Sequence, residues 1–87
     1  MRSYTVTVLP KAVRVLSKLP REIQQRIARR VDALALDPRP VGSEPVRPTA
    51  FLRIRVGNYR VIYGVDDNAL TVTVVVIGHR REVYRDF

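Results

Sequence analysis

The stretch from Leu52 to Tyr63 constrains this chain more than any other. Leu52-Arg53-Ile54-Arg55-Val56 alternates apolar and basic side chains, Gly57-Asn58 interrupts it, and Tyr59-Arg60-Val61-Ile62-Tyr63 follows. Alternation with period two is the signature of a strand with unlike faces. A Gly-first pair suits the two-residue II′ turn that joins antiparallel strands. With those two residues as the loop, Val56 faces Tyr59, Arg55 pairs with Arg60, and Arg53 lies beside Ile62. Leu52, Ile54, Val56, Tyr59, Val61 and Tyr63 then share a face that helices can cover, and Arg53, Arg55 and Arg60 share the opposite one. Like charges directly opposite each other destabilise a sheet. Three arginines gathered there point to a bound polyanion; the plain alternative is a solvated outer face, which such sheets often have.

The flanking sequence supplies the rest of a small domain. Tyr4-Thr5-Val6-Thr7-Val8 alternates as a half-buried strand. Pro10 suits the first turn of a helix, and Ala12, Val13, Leu16 and Leu19 recur at helical spacing until Pro20 ends the run. A second helix begins at Arg21, with Ile23, Ile27, Val31 and Leu34 as its apolar stripe and Arg26, Arg29 and Arg30 outside it. Asp37-Pro38 stops it. The proline-rich segment from Pro38 to Pro48 reads as a loop and as the most mobile part of the chain. Phe51 to Val56, Tyr59 to Val65 and Leu70 to Ile77 read as strands, the last two separated by the turn-forming Asp66-Asp67-Asn68. Glu82 to Arg85 adds a short final strand. The order β-α-α-β-β-β predicts an α+β fold: an antiparallel-rich sheet with a helical hairpin packed on one face. At 87 residues the chain is one domain, 1–87.

Composition narrows the partners. The chain has no cysteine, which excludes disulfides, thiolate metal sites and cysteine nucleophiles. No run reaches the roughly 18 apolar residues of a membrane span, and the N-terminus has no signal-peptide pattern, so a cytoplasmic location is expected. Sixteen basic residues against eight acidic give a net charge of +8. Only Lys11 and Lys18 are lysine; the others are arginine, whose fork matches phosphate oxygens and whose plane stacks on bases. Nucleic acid, an acidic protein or an anionic surface are the partners this balance favours.

Just beyond the third of the long strands comes Gly78-His79-Arg80-Arg81-Glu82-Val83-Tyr84. It places the single histidine, two arginines and a tyrosine at a strand end, where side chains gather at a rim. A lone histidine is more often plain surface and a lone tyrosine more often packing. Glu82 and His79 make no metal site, because no second His or Cys supports them.

Taken together, these segments resemble a known family. Leu9-Pro10-Lys11-Ala12 opens a helix and Leu19-Pro20 separates two helices. Arg53-Ile54-Arg55-Val56-Gly57-Asn58-Tyr59-Arg60-Val61-Ile62-Tyr63 is followed by Asp66-Asp67 and later by Gly78-His79-Arg80-Arg81-Glu82-Val83-Tyr84. This combination resembles the RelE/ParE superfamily of toxins from toxin–antitoxin systems, over nearly the whole chain. In that superfamily RelE-like members cleave messenger RNA in the ribosomal A site without a metal or other cofactor, and ParE-like members poison DNA gyrase. The resemblance implies the RelE branch, because the basic middle strands and the C-terminal tyrosine are kept as Arg53, Arg55, Arg60, Arg80 and Tyr84. It further implies an endoribonuclease, with a cognate RelB-like antitoxin, the ribosome and mRNA as partners. A gyrase inhibitor on the same fold and a catalytically silent RNA- or protein-binding module are the rival readings.

The chemistry such an enzyme needs can be matched to residues. Attack of the RNA 2′-OH on its own phosphate requires a base, a clamp for developing negative charge and an acid for the 5′ oxygen. Arg60, with Arg53 or Arg55, can hold the phosphate through forked hydrogen bonds; the resemblance adds Arg80 as a catalytic candidate, and Arg81 is a further candidate phosphate contact. Tyr84 acts as a base only where arginines lower its pKa from about 10, and equally can stack on a base. Family members often have Lys at the positions of Arg53 and Arg55, and arginine does not give up a proton. His79, with a natural pKa near 6.5, is therefore a candidate acid.

Overall fold

The computed structural model describes residues 3–80. Strand β1 (Thr5–Val8) leads into helix α1 (Pro10–Ser17), with Pro10 in the first turn as its fixed φ favours. Helix α2 (Arg21–Ala33) follows immediately and buries Ile27 and Val31. Then come β2 (Glu44–Pro45), β3 (Leu52–Val56), β4 (Tyr59–Asp66) and β5 (Thr71–His79). They form one five-stranded sheet in the order β1-β5-β4-β3-β2. Only the β1–β5 pair is parallel; the chain reaches it by passing through both helices. The mixed α+β architecture expected from the sequence is the one observed, while the short strand expected over Glu82 to Arg85 lies outside the described residues.

The helices cover one face of the sheet. Ala12, Ile27, Val31 and Leu34 pack on Ile54, Val56, Val61, Tyr63, Val72, Val74 and Ile77, all buried, with Leu52 and Tyr59 half-buried at the margin. This is the face that strand alternation assigned to the core. The turn at Gly57-Asn58 is also as read: Gly57 takes φ +59°, and Asn58 stays out of the left-handed region. Such a φ costs a side chain about 1–2 kcal/mol, so glycine is required there.

Two features depart from the sequence reading. First, the segment from Pro38 to Pro48 is tied down instead of hanging free. The Tyr63 hydroxyl donates to the Pro38 carbonyl at 2.8 Å, and Arg39 grips Asp67 with two bonds of 2.9 and 3.1 Å while Tyr4 donates to the same carboxylate. The segment then contributes the two-residue strand β2 and buries Val46 against Ile62 on the second face of the sheet, beside Phe51, Val75 and Val76. Ile62 and Val76 are apolar residues on a face without helices, and covering them is what draws the segment in. Second, β5 carries a bulge: Ile62 pairs with Val76, but Tyr63 pairs with Val74. The extra residue switches which side chains of β5 face the helices, Val74 before the bulge and Ile77 after it.

The Arg39–Asp67 pair is about half exposed on both sides, so it contributes about 0–1 kcal/mol. The buried Tyr63 bond matters more. Burial pushes the Tyr63 phenol above its ordinary value near 10, so the folded chain keeps it neutral when the unfolded chain begins to ionise it. That stability is complete below pH 10 and is lost as pH rises from there through the folded value. Tyr63→Phe should cost about 1 kcal/mol at pH 8, because the Pro38 carbonyl loses its donor. The difference between wild type and variant in urea unfolding should narrow above pH 10. A difference that stays constant to pH 11 contradicts this role for the phenol.

Candidate functional site

The β3–β4 ladder pairs Arg53 with Ile62, Arg55 with Arg60 and Val56 with Tyr59. Because residues opposite each other share a face, the three arginines stand together on the side away from the helices, at the hairpin end of the sheet. Across β4, Arg60 is opposite Gly78 of β5, which has no side chain to crowd it. Arg55 is exposed, and Arg53 and Arg60 are half-buried.

The three differ in how they are held. Arg53 Nη2 donates to Glu44 Oε2 at 2.7 Å, from its cross-strand partner on β2. That carboxylate is 58% exposed, so solvent weakens the pair and a phosphate can compete for the guanidinium. Glu44 was not legible as a site residue, because its segment has the composition of a loop. Arg60 differs: its Nε is shielded from water and has no hydrogen-bond partner among the described residues. A buried donor left unsatisfied costs about 1–3 kcal/mol. Farther along the same face, a depression of about 420 Å³ opens beside Phe51, Gly64, Thr73 and Val75. Gly64 leaves room for the Phe51 ring, which a Cβ there would approach to 3.3 Å. Its mostly apolar lining, with the side chains of Thr71 and Thr73 among it, suits the depression to a nucleobase.

The other sequence-derived candidates are placed differently. His79 pairs with Tyr59 and meets its ring edge-on, with centroids 5.8 Å apart and planes at 86°. Tyr59 belongs to the helix-facing side, so the structure does not bring His79 together with the three arginines. The β5 bulge is the reason, because unbroken alternation from Val72 and Val74 would have put His79 on the arginine side. Arg80 is exposed just past β5, where its N–H donates to the Asn58 carbonyl at 2.9 Å and keeps it at the hairpin end. Arg81 and Tyr84 lie outside the described residues. Among the described residues, no three His, Cys, Asp or Glu side chains gather to hold a metal, and no helix is long and apolar enough to cross a membrane.

The Arg55–Arg60 pair is a cost borne by the fold. Removing one charge should stabilise the sheet by about 0.2–1 kcal/mol, and a β-branched replacement suits a strand. Arg55→Thr is expected to raise the urea midpoint with an unchanged m-value. A lowered midpoint would show that the two arginines are not strained by each other.

Comparison with known proteins agrees with this geometry. The family described as ParE toxin of type II toxin–antitoxin system, parDE, matches residues 6–84. Toxin RelG of Mycobacterium tuberculosis is 34% identical over 84 residues, spanning 94% of this chain and 97% of its own length. A chain of the M. tuberculosis toxin–antitoxin complex RelBE2 superposes with a TM-score of 0.81 at 31% identity, over 92% of this chain and 94% of that one. The archaeal RelE–RelB complex of Pyrococcus horikoshii gives 0.81 at 26% identity, over 90% and 96%. Isolated RelE of E. coli shares the fold, with a TM-score of 0.77 at 19% identity over 88% of this chain and 84% of that one. With the family matched over nearly its whole length, the chain belongs to the ParE toxin family of type II toxin–antitoxin systems, within the RelE/ParE superfamily.

Proposed function

We propose that this toxin is a ribosome-dependent endoribonuclease that cleaves mRNA in the A site and so halts translation in the cytoplasm. The observation that carries the proposal is the gathering of Arg53, Arg55 and Arg60 on the helix-free face, with the Arg60 Nε buried and without a partner among the described residues. The likeness to toxin RelG and to toxin–antitoxin complexes of RelE type supports the same branch.

In this proposal the RNA backbone lies across the hairpin end of the sheet. Arg60 holds the scissile phosphate by forked hydrogen bonds and meets the negative charge that develops as the 2′-OH attacks and the 5′ oxygen leaves. Arg53 and Arg55 fix the neighbouring phosphates, with Glu44 yielding Arg53 as the substrate arrives. Arg80, at the same end, and Arg81 and Tyr84 beyond it complete the site, with Tyr84 as base or stacking platform. His79 faces the other side of β5, and its contribution is to hold Tyr59 and the strand end. The cognate antitoxin is an acidic RelB-like chain that neutralises the toxin by covering the arginine face. Gyrase inhibition is the second reading, favoured by the ParE description of the matching family.

Arg60→Ala tests the proposal directly. Loss of one charge-stabilising contact costs about 10²–10³ in rate, so mRNA cleavage on programmed ribosomes and growth arrest should both fall by that order, with the thermal unfolding midpoint retained. Full cleavage by a folded Arg60→Ala variant would remove the phosphate clamp from the account. Inhibition of supercoiling by the wild type, without mRNA cleavage, would replace it with the gyrase reading.

A further inference from the structure

Arg26, Arg29 and Arg30 occupy positions i, i+3 and i+4 of α2, so they share one helix face. With Val56 they line a cleft of about 180 Å³ between α2 and the hairpin end of β3. Water takes about 30 Å³ per molecule in the liquid, so the cleft has room for a phosphate group and its ester oxygens. Two of the guanidinium groups lie against β3 and its turn. Arg30 Nη1 donates to the Arg55 carbonyl at 3.2 Å, on the part of the β3 edge that β2 leaves uncovered, since β2 pairs only with Leu52 and Arg53. Arg26 lies over Gly57, its Nη1 3.6 Å from where a Cβ would stand.

None of the three makes an ion pair among the described residues, although Glu22 precedes Arg26 by one helical turn and Asp32 follows Arg29 by one. Three like charges thus line a concavity without an ion-pair partner among the described residues, which raises the local potential and favours an anion. The bond that holds Arg30 beforehand lowers the ordering cost of binding for that side chain. The choice of anion follows from what the cleft lacks. An acidic amphipathic helix needs an apolar strip to seat its other face. The exposed large apolar side chains of the described residues are Leu9, Val13, Leu36 and Val41, none of which lines the cleft, and its apolar wall, Val56, is 3% exposed. A phosphodiester backbone needs no such strip, and arginine forks match its oxygens. Through Arg55, whose carbonyl meets Arg30 and whose side chain stands on the opposite face, the cleft adjoins the arginine site across one strand edge.

We infer that this cleft is a second, non-catalytic site for the phosphodiester backbone of a nucleic acid. It stands apart from the cleavage proposal, because a toxin that cleaves nothing would still carry it. The test compares three full-length proteins: wild type, Arg26→Gln/Arg29→Gln/Arg30→Gln, and the charge-matched control Arg14→Gln/Lys18→Gln/Arg21→Gln, whose sites are all exposed on the same helical pair. Binding of blunt 12-base-pair RNA and DNA duplexes is measured by fluorescence anisotropy from 50 to 200 mM salt, with circular dichroism confirming the fold. Three lost phosphate contacts lower the slope of log K against log salt by about 2.7, so the wild type should lose ~40-fold more affinity across that range than the α2 variant. The control should stay near the wild-type slope. Loss on both duplexes assigns the site to backbone irrespective of sugar, and loss on RNA alone narrows it to RNA. Equal effects in the two variants, or a wild-type slope in the α2 variant, would overturn the inference. So would retained duplex binding by an α2 variant that no longer binds a poly-glutamate peptide.

Discussion

The two-residue turn at Gly57-Asn58 sets the register on which the rest of this molecule depends. With Val56 opposite Tyr59, every apolar side chain of β3 faces α2 and the odd-numbered arginines face away. A slip of one residue would send Arg53 and Arg55 into the core and expose Ile54 and Val56. Burying unpaired guanidinium groups is far costlier than the repulsion between Arg55 and Arg60, so the turn holds the register while the cross-strand arginine pair opposes it. Fold and site are thus written in the same alternation, one face for each.

The second face is not left bare. Val46 covers Ile62 from a segment that Tyr63, Arg39 and Asp67 anchor at its start, and that segment delivers Glu44 to Arg53. The apolar middle of the face is closed, while the arginines at one end and the depression beside Phe51 and Gly64 at the other remain open. In the proposed function a strand of RNA would follow that division, with phosphates at the basic end and a base toward the apolar one. The charge of this face is only partly neutralised among the described residues: Arg53 has Glu44, whereas Arg60 Nε has no partner there.

Much of this was legible in the amino-acid order, and the parts that were not share a cause. The helices, the long strands and the β3–β4 register follow from local periodicity and turn chemistry, and all are observed. Strand β2 was hidden because Glu44 and Pro45 pair only through a non-local contact, within a segment of loop composition. The bulge was hidden because Val74-Val75-Val76-Ile77 is apolar throughout, so no alternation marks which face each residue takes. From that one unseen residue follows the placement of His79 beside Tyr59 instead of beside Arg60. The α2 arginines were visible as lying off the apolar stripe, but their convergence with Val56 and Gly57 depends on how α2 crosses the end of β3.

The central claim is that the helix-free face at the hairpin end receives RNA phosphate. Nuclear magnetic resonance of the arginine Nε–H groups reads this most directly, during titration with a short RNA made uncleavable by a 2′-O-methyl group at the scissile position. The account predicts that the Nε–H signals of Arg53, Arg55 and Arg60 shift at saturation, together with backbone amides of β3 and β4 on either side of Gly57. RNA binding that leaves those three side chains and both strands unperturbed would contradict it.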